Sequence, residues 1–332
     1  MSEHPAASAA DPKKPLVLDK IMSRLVWGAV LGVLVFAGFS LYADVGQLAD
    51  NLSRYRWLYV PLAMLLVCVN YGIRFMRWHY YLKLAQIEIG VRSSASIFFS
   101  GFVMSVTPGK FGEVLKSLLL REAHGTPIAK SAPIIIAERL TDFISLVLLS
   151  SVGIFAFDYG RIFIAVSAML SLIAVTMISS RAIAHTCINW TRKMPVLHKL
   201  TDKLHEMYES MADLVRPGPL FWATILGMAA WLVECVGVWL LCKGLGGDAA
   251  LVTLPMAIFI HAFATIFGAL TMLPGGLGAT EGSMTGLFVL LGKMAQTPAV
   301  AVTLLVRLCT LWFGVIVGLV ALIRWRRARA RG

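Results

Sequence analysis

Long apolar runs separated by short polar segments recur from one end of this chain to the other. Six of them read as full membrane spans, at about residues 25–43, 57–80, 133–157, 161–180, 219–242 and 298–323. Runs of this length fit a helix crossing a hydrocarbon core about 30 Å thick. The pattern therefore predicts an all-α, polytopic membrane protein with almost no soluble domain.

Two further segments fit no simple span. In residues 94–121 the stretch SVTPGKFGEVLK places a Pro-Gly pair, two lysines and a glutamate inside an apolar sequence. Ser94–Thr107 makes a helix of roughly 21 Å and Phe111–Leu120 one of roughly 15 Å at about 1.5 Å per residue, so neither crosses the core. The economical reading is a re-entrant hairpin that turns near mid-membrane at Pro108-Gly109. The second segment, 250–292, carries MLPGGLGATEG at its centre. Leu251–Leu273 is long enough to span, so this segment is either a second hairpin or two crossings.

The two broken segments align with each other. Pro108 matches Pro274, Gly109 matches Gly275 and Gly112 matches Gly278. Each is followed by Thr-Pro (Thr126-Pro127, Thr297-Pro298) and then by a span with an arginine, Arg139 or Arg307. The chain divides accordingly into a disordered cytosolic tail (1–20), a first membrane repeat (21–157), a second (158–323, with an amphipathic cytosolic loop at 181–218) and a basic tail (324–332). Each repeat holds three spans and one broken hairpin. Counting crossings makes the repeats inverted, and span 25–43 then pairs with 161–180, 57–80 with 219–242, and 133–157 with 298–323.

Charge sets the orientation. Hydrophobic residues make up 58% of the chain and charged ones 14%, yet the net charge is +12. A basic protein of this size invites a nucleic-acid reading, but the basic residues flank the apolar spans, as in cytoplasmic loops. They read as topology determinants, with anionic-lipid contact as the alternative, and no nucleic-acid partner is expected. Lys13, Lys14, Lys20 and Arg24 place the N-terminus inside, and the five arginines of RWRRARARG place the C-terminus inside. The expected location is the plasma membrane. The stripe Leu197, Leu200, Leu204, Met207, Met211 and Leu214 reads as a helix lying on the cytosolic interface. Cys68, Cys187, Cys235, Cys242 and Cys309 are scattered, with no C-x-x-C and no histidine cluster, so neither a metal site nor a disulfide framework is read, and no cofactor is expected.

The candidate chemistry lies at the breaks. A helix ending at mid-membrane leaves backbone groups without partners and a terminal partial charge. Inverted repeats with paired, Gly/Pro-interrupted helices point to a transport site at the repeat interface. A half-helix starting near Phe111 aims N–H groups at Pro108-Gly109 and favours an anion, and Lys110 and Lys116 strengthen that preference. Gly112 and Gly278 allow close backbone approach. In AERLTDF, Glu138 and Asp142 share a helix face, while Arg139 stands three residues from Asp142 and either neutralises it or faces a ligand. A proton-carrying role is open to the carboxylates, among them Glu113 and Glu281 beside the breaks. Glu234 is a weaker candidate, and His261 reads as a hydrogen-bonded interior histidine. Arg74 and Arg77 lie near the cytoplasmic end of their span and are expected to snorkel to headgroups.

TPGKFGEVLK…ERLTDF, followed by LPGGLGATEG and a later arginine, resembles the membrane region of lysylphosphatidylglycerol synthases and related stand-alone flippase-like proteins. The resemblance covers nearly the whole chain beyond the tail. It rests on Pro108, Gly109, Gly112, Glu113, Lys116, Glu138, Arg139 and Asp142, and on Pro274, Gly275, Gly276, Gly278, Glu281, Gly282 and Arg307. It implies translocation of a phospholipid or lipid-linked headgroup. Members that make aminoacyl-lipid carry a separate soluble transferase domain, which is not read in this chain, so the synthase activity is not carried over.

Three functions compete at this point. The first is a lipid flippase in which two hairpins meet at mid-membrane around an anionic headgroup. The second is an intramembrane lipid-modifying enzyme, for which neither turn supplies a Ser-Arg pair. The third is a membrane partner of a lipid- or glycan-modifying enzyme, which leaves the charges inside the spans without a purpose. The expectation is the first, and no enzymatic activity.

Overall fold

A computed structural model of the chain describes residues 16–107, 113–151, 165, 169 and 201–330. Pro108, Gly109, Lys110 and Gly112, and nearly all of the expected span 161–180, lie outside the described residues. The described elements are helical. They are α1 (Leu16–Tyr42), α2 (Val45–Ser53), α3 (Tyr59–Leu84), α4 (Val91–Gly101), α5 (Leu115–His124), α6 (Ile128–Ser150), α7 (Thr201–Leu214), α8 (Pro217–Leu245), α9 (Leu254–Leu270), α10 (Ala279–Leu290), α11 (Gln296–Arg307) and α12 (Phe313–Ala330).

Three described helical stretches are long and apolar enough to cross a membrane: Tyr59–Leu84, Pro217–Leu245 and Gln296–Arg329. The last runs through α11 and α12 with a π-helical turn, Leu308–Trp312, between them. Helix α6 has the length of a span, and Glu138, Arg139 and Asp142 at its middle separate it from the apolar class. The outer surface is greasy. Trp27, Leu34, Leu58, Leu65, Leu290 and Ile316 are all exposed, as expected where lipid rather than water is the solvent.

Helices α3 and α8 form the central antiparallel pair. Asn70 donates its side-chain N–H to the Ala230 carbonyl at 2.7 Å. Gly227 lies against the Arg77 guanidinium and Gly237 against Ala63, so the register runs in opposite directions along the pair. Around one end of this pair Leu82, Ile87, Leu120, Ile134, Leu214 and Trp325 pack into one apolar cluster. At the other end Tyr55, Leu241, Val252, Leu291, Met294 and Ala299 pack into a second. The segments with the expected cytoplasmic charges, beside Lys83, Arg121, Arg216 and Arg324, thus gather at one end.

Each broken segment contains two short helices. Helix α4 continues as the 3-10 turn Phe102–Met104, and α5 begins at Leu115. In the second half α9 covers Leu254–Leu270, the 3-10 turn Pro274–Gly276 follows, and α10 returns to pack along α9. Gly275, Gly276 and Gly278 adopt φ values of 62°, 66° and 84°, a region costly for residues with a Cβ. The two breaks touch. Val106 packs with Leu277 and Leu311 in one small cluster.

The interfacial reading of the 181–218 loop needs correction. Leu197 and Leu200 lie outside the described residues, but on α7 Tyr208, Met211 and Leu214 are buried, and the helix packs on α6. The part of its apolar face formed by Tyr208, Met211 and Leu214 is covered by protein. An amphipathic stripe has the same period whichever apolar surface covers it.

One glycine sets the closest backbone approach. A Cβ added at Gly318 on α12 meets the Val103 nitrogen at 2.2 Å and the Phe102 carbonyl carbon at 2.7 Å. Gly318→Ala is expected to destabilise the bundle by about 1–3 kcal/mol. Gly286→Ala, whose Cβ meets nothing within 4 Å, is expected to gain up to about 1 kcal/mol from helix propensity. Thermal unfolding in detergent measures both, and equal unfolding midpoints would sink this account of the α12 contact.

Candidate functional site: a charged cavity between the two breaks

Helix α6 presents its charges to three neighbouring helices, α3, α5 and α8. Asp142 accepts from Arg77 Nη2 at 2.6 Å and from Arg74 Nη2 at 3.1 Å, both on α3. Arg139 Nη2 lies 3.1 Å from the same carboxylate, and Trp231 Nε1 of α8 donates to it at 3.2 Å. One turn earlier Glu138 accepts from Lys116 Nζ at 2.5 Å. Glu113 stands between the two groups, 3.5 Å from Lys116 and 3.3 Å from Arg139. The network pins α3, α5, α6 and α8 together. Charges placed this deep are tolerated because they are paired.

The second half contains a simpler counterpart. Glu281 accepts from Arg307 Nε at 2.5 Å and, with its other oxygen, from the Gly278 backbone N–H at 2.8 Å. Arg307 also donates to the Gly275 carbonyl at 2.7 Å. Glu281 therefore caps α10 as well as neutralising Arg307. The pairs Glu113–Arg139 and Glu281–Arg307 have the same separation along the chain, 26 residues.

Between these halves lies a cavity of about 350 Å³. Its charged lining is Arg74, Glu113, Arg139, Asp142, Glu234, His261 and Arg307, set among apolar and hydroxyl side chains. The π-helical turn that follows Arg307 brings Thr310 and Leu311 to the wall, and Tyr71 donates to the Thr310 carbonyl at 3.1 Å. Arg139 is the most open of the charged network, with 25% of its side chain exposed, against 1% for Arg77. Its buried Nε has no hydrogen-bond partner among the described residues. A second recess, of about 580 Å³ between α1 and α10, carries no charge in its lining.

The expected residues divide by position. Glu113, Arg139, Asp142, Gly275, Gly276 and Arg307 reach the cavity. Lys116, Glu138 and Glu281 are buried behind it, each held in an ion pair. Lys116 is thus committed to Glu138, with its ammonium 4.5 Å from the centre of the Trp78 ring, instead of facing an incoming anion. Pro274 and Gly278 shape the second turn, and Gly282 borders the uncharged recess.

Arg74 and Arg77 overturn an expectation. They do not snorkel; both turn inward onto Asp142. Their distance from the helix end suggested reach to headgroups, but an acid buried on the facing helix offers a stronger partner. Tyr71, Trp231, Glu234 and His261 also belong to the cavity wall. Glu234 at mid-span was the available signal for that wall, and its partner on another helix was not visible in the sequence.

An apolar-surfaced helical bundle with a charged internal cavity defines an integral membrane protein of the polytopic α-helical class. The sequence profile of the lysylphosphatidylglycerol synthase transmembrane region matches residues 29–318, and the chain belongs to that family. It is similar to a UPF0104 membrane protein of Methanothermobacter thermautotrophicus, at 24% identity over 88% of this chain and 93% of that protein. A UPF0104 membrane protein of Pyrococcus horikoshii is 22% identical over 90% of this chain and 96% of its own length.

Proposed function

We propose that the protein moves an anionic phospholipid or lipid-linked headgroup across the plasma membrane, as a flippase-like translocase without enzymatic activity. The observation that carries this reading is the charged cavity between two broken helices, inside a bundle whose outside is apolar. A headgroup crossing a bilayer needs polar groups at mid-depth, while its acyl chains need an apolar exterior. Arg139, the most exposed cation of the network, is the group that would meet a phosphate in this reading.

The reading also supposes inverted repeats with both termini in the cytoplasm. It draws support from the matched 26-residue separation of the two glutamate–arginine pairs and from the basic segments at one end of the α3–α8 pair. Rocking of the halves about the Val106–Leu277 contact would then open the cavity to each side in turn.

The test uses the purified full chain in phosphatidylcholine vesicles containing a trace of fluorescent phosphatidylglycerol. Accessibility of the label to a membrane-impermeant reductant reads the transfer. Transfer at least tenfold above protein-free vesicles is expected, without phosphate release or headgroup exchange. Transfer no faster than in protein-free vesicles would overturn the proposal. Turnover of a lipid pyrophosphate that vanishes in Glu113→Gln would replace it with an intramembrane enzyme.

A further inference from the structure

Helix α1 lies tight against the bundle along one stretch and stands off from it along the next. An added Cβ at Gly28 would meet the Val106 Cβ at 3.1 Å, and one at Gly32 would overlap the Trp312 ring. One turn later the contact passes from glycine to phenylalanine. Phe36 meets Trp312 edge-on, with ring centres 6.4 Å apart. The distance between packed helices follows the side chains at their contact, so α1 gives way beyond Gly32. At Gly38, and at Gly286 of α10 opposite, an added Cβ meets nothing within 4 Å. The gap is the uncharged recess of about 580 Å³, whose wall includes Val35, Gly38, Phe39, Gly286, Val289 and Leu290.

Both ends of this recess are bounded by protein. At the lower end Val35 and Trp312 pack on the cluster of Val106, Leu277 and Leu311. At the upper end Thr297 Oγ1 donates to the Ala43 carbonyl at 2.7 Å, tying the end of α1 to α11. The stretch from Gly32 to Tyr42 rises roughly 15 Å at about 1.5 Å per residue, half of a hydrocarbon core about 30 Å thick. The recess therefore has the depth of one leaflet. It lies toward the cluster containing Leu291 and Met294, away from the basic segments. Beside it Leu34, Leu41 and Leu290 are exposed, so its open side faces hydrocarbon. Its outer end is polar: Gln296 lines it, and Lys293 is exposed in the same turn.

We propose that the recess seats one acyl chain of a phospholipid in that leaflet, with the headgroup at the level of Gln296 and Lys293. The occupant follows from shape and polarity. An apolar slot of single-leaflet depth, open to lipid along its side and bordered by a cation at its outer end, matches a phospholipid from tail to phosphate. A membrane-spanning helix of a second copy crosses both leaflets and is about 10–12 Å wide with its side chains, so it would bridge the recess without filling it. Val35 belongs both to the recess and to the cluster in which the two breaks touch. The seated chain thus packs on the contact that joins the halves. This inference rests on the membrane-embedded fold and not on lipid movement, so a failure of transfer leaves it standing.

The probe is phosphatidylglycerol with a photoreactive diazirine midway along one acyl chain, at trace level in phosphatidylcholine vesicles that hold the full chain. After irradiation, peptide mass spectrometry compares labelling of residues 35–39 and 286–290 with that of the exposed face of α12 at Ile316 and Val320. That face reports ordinary contact with bilayer lipid. Labelling of the recess at least threefold above it is expected in wild type. Gly38→Leu and Gly286→Leu each put a side chain into the recess where an added Cβ clashes with nothing. Each should bring recess labelling down to the α12 level while α12 labelling holds. The wild-type comparison needs no variant, so a misfolded substitution does not shield the idea. Recess labelling no higher than that of α12 in wild type, or undiminished in both folded variants, would overturn the acyl-chain seat. A dimer in detergent that Gly286→Leu dissociates, with recess labelling at the α12 level, would overturn it in favour of a second copy.

Discussion

Asp142→Asn is expected to yield little folded protein. The substitution keeps the shape of the side chain and removes the charge that three arginines share. Arg77 suffers most, because its side chain is 1% exposed and its Nη2 sits 2.6 Å from the lost charge. Removing one partner of a buried ion pair costs about 3–5 kcal/mol, a large share of a typical stability of about 5–15 kcal/mol. Arg74 and Arg139 border the cavity and regain some solvation there, so most of the cost falls on Arg77. Extraction yield and thermal unfolding of detergent-solubilised protein measure the effect. A wild-type unfolding midpoint for Asp142→Asn would show that these arginines do not depend on the carboxylate.

Arg139→Gln should do the reverse, keeping the fold and losing transfer. Asp142 retains Arg74 and Arg77 in this variant, and Glu113 retains Lys116. A stability loss of no more than about 1.5–3 kcal/mol is expected, the scale of one charged hydrogen bond. If Arg139 receives the headgroup phosphate, its removal takes away a charge-assisted contact of about 1.5–3 kcal/mol, so transfer of anionic lipid should fall about 10- to 100-fold. Arg139→Lys should recover only part of the rate, because an ammonium cannot reproduce the planar fork of donors. The measurement is transfer of fluorescent phosphatidylglycerol beside thermal stability of the same preparations. A stable Arg139→Gln protein with wild-type transfer would assign Arg139 to the internal ion network alone.

Much of this site was legible before any coordinates. Pro-Gly and charge inside apolar sequence cost too much to be accidental, and that cost marked both breaks. It also marked Glu113, Arg139, Asp142 and Arg307, which line one cavity. What stayed hidden was partner choice. Glu138 and Asp142 share a face of α6, yet one pairs with Lys116 of α5 and the other with α3. Spacing along one helix says nothing about which neighbour meets each turn. Arg74 and Arg77 were misread for that reason, since their depth is compatible with lipid headgroups or with an acid opposite. The α7 stripe failed in the same way, because periodicity reports an apolar face and not what covers it.

The ion network also bears on how the chain enters a membrane during synthesis. Helix α6 carries three charges near its centre, and each costs about 2.5–3.5 kcal/mol when a segment partitions alone. Its insertion therefore draws on partners already in place. Arg77 precedes Asp142 by 65 residues, so a ribosome delivers the guanidinium groups of α3 first and the carboxylate of α6 afterwards. Helix α6 is a marginal passenger alone and a compatible one beside α3. The arrival of one aspartate, rather than of a more hydrophobic helix, sets the moment at which this half of the bundle can close.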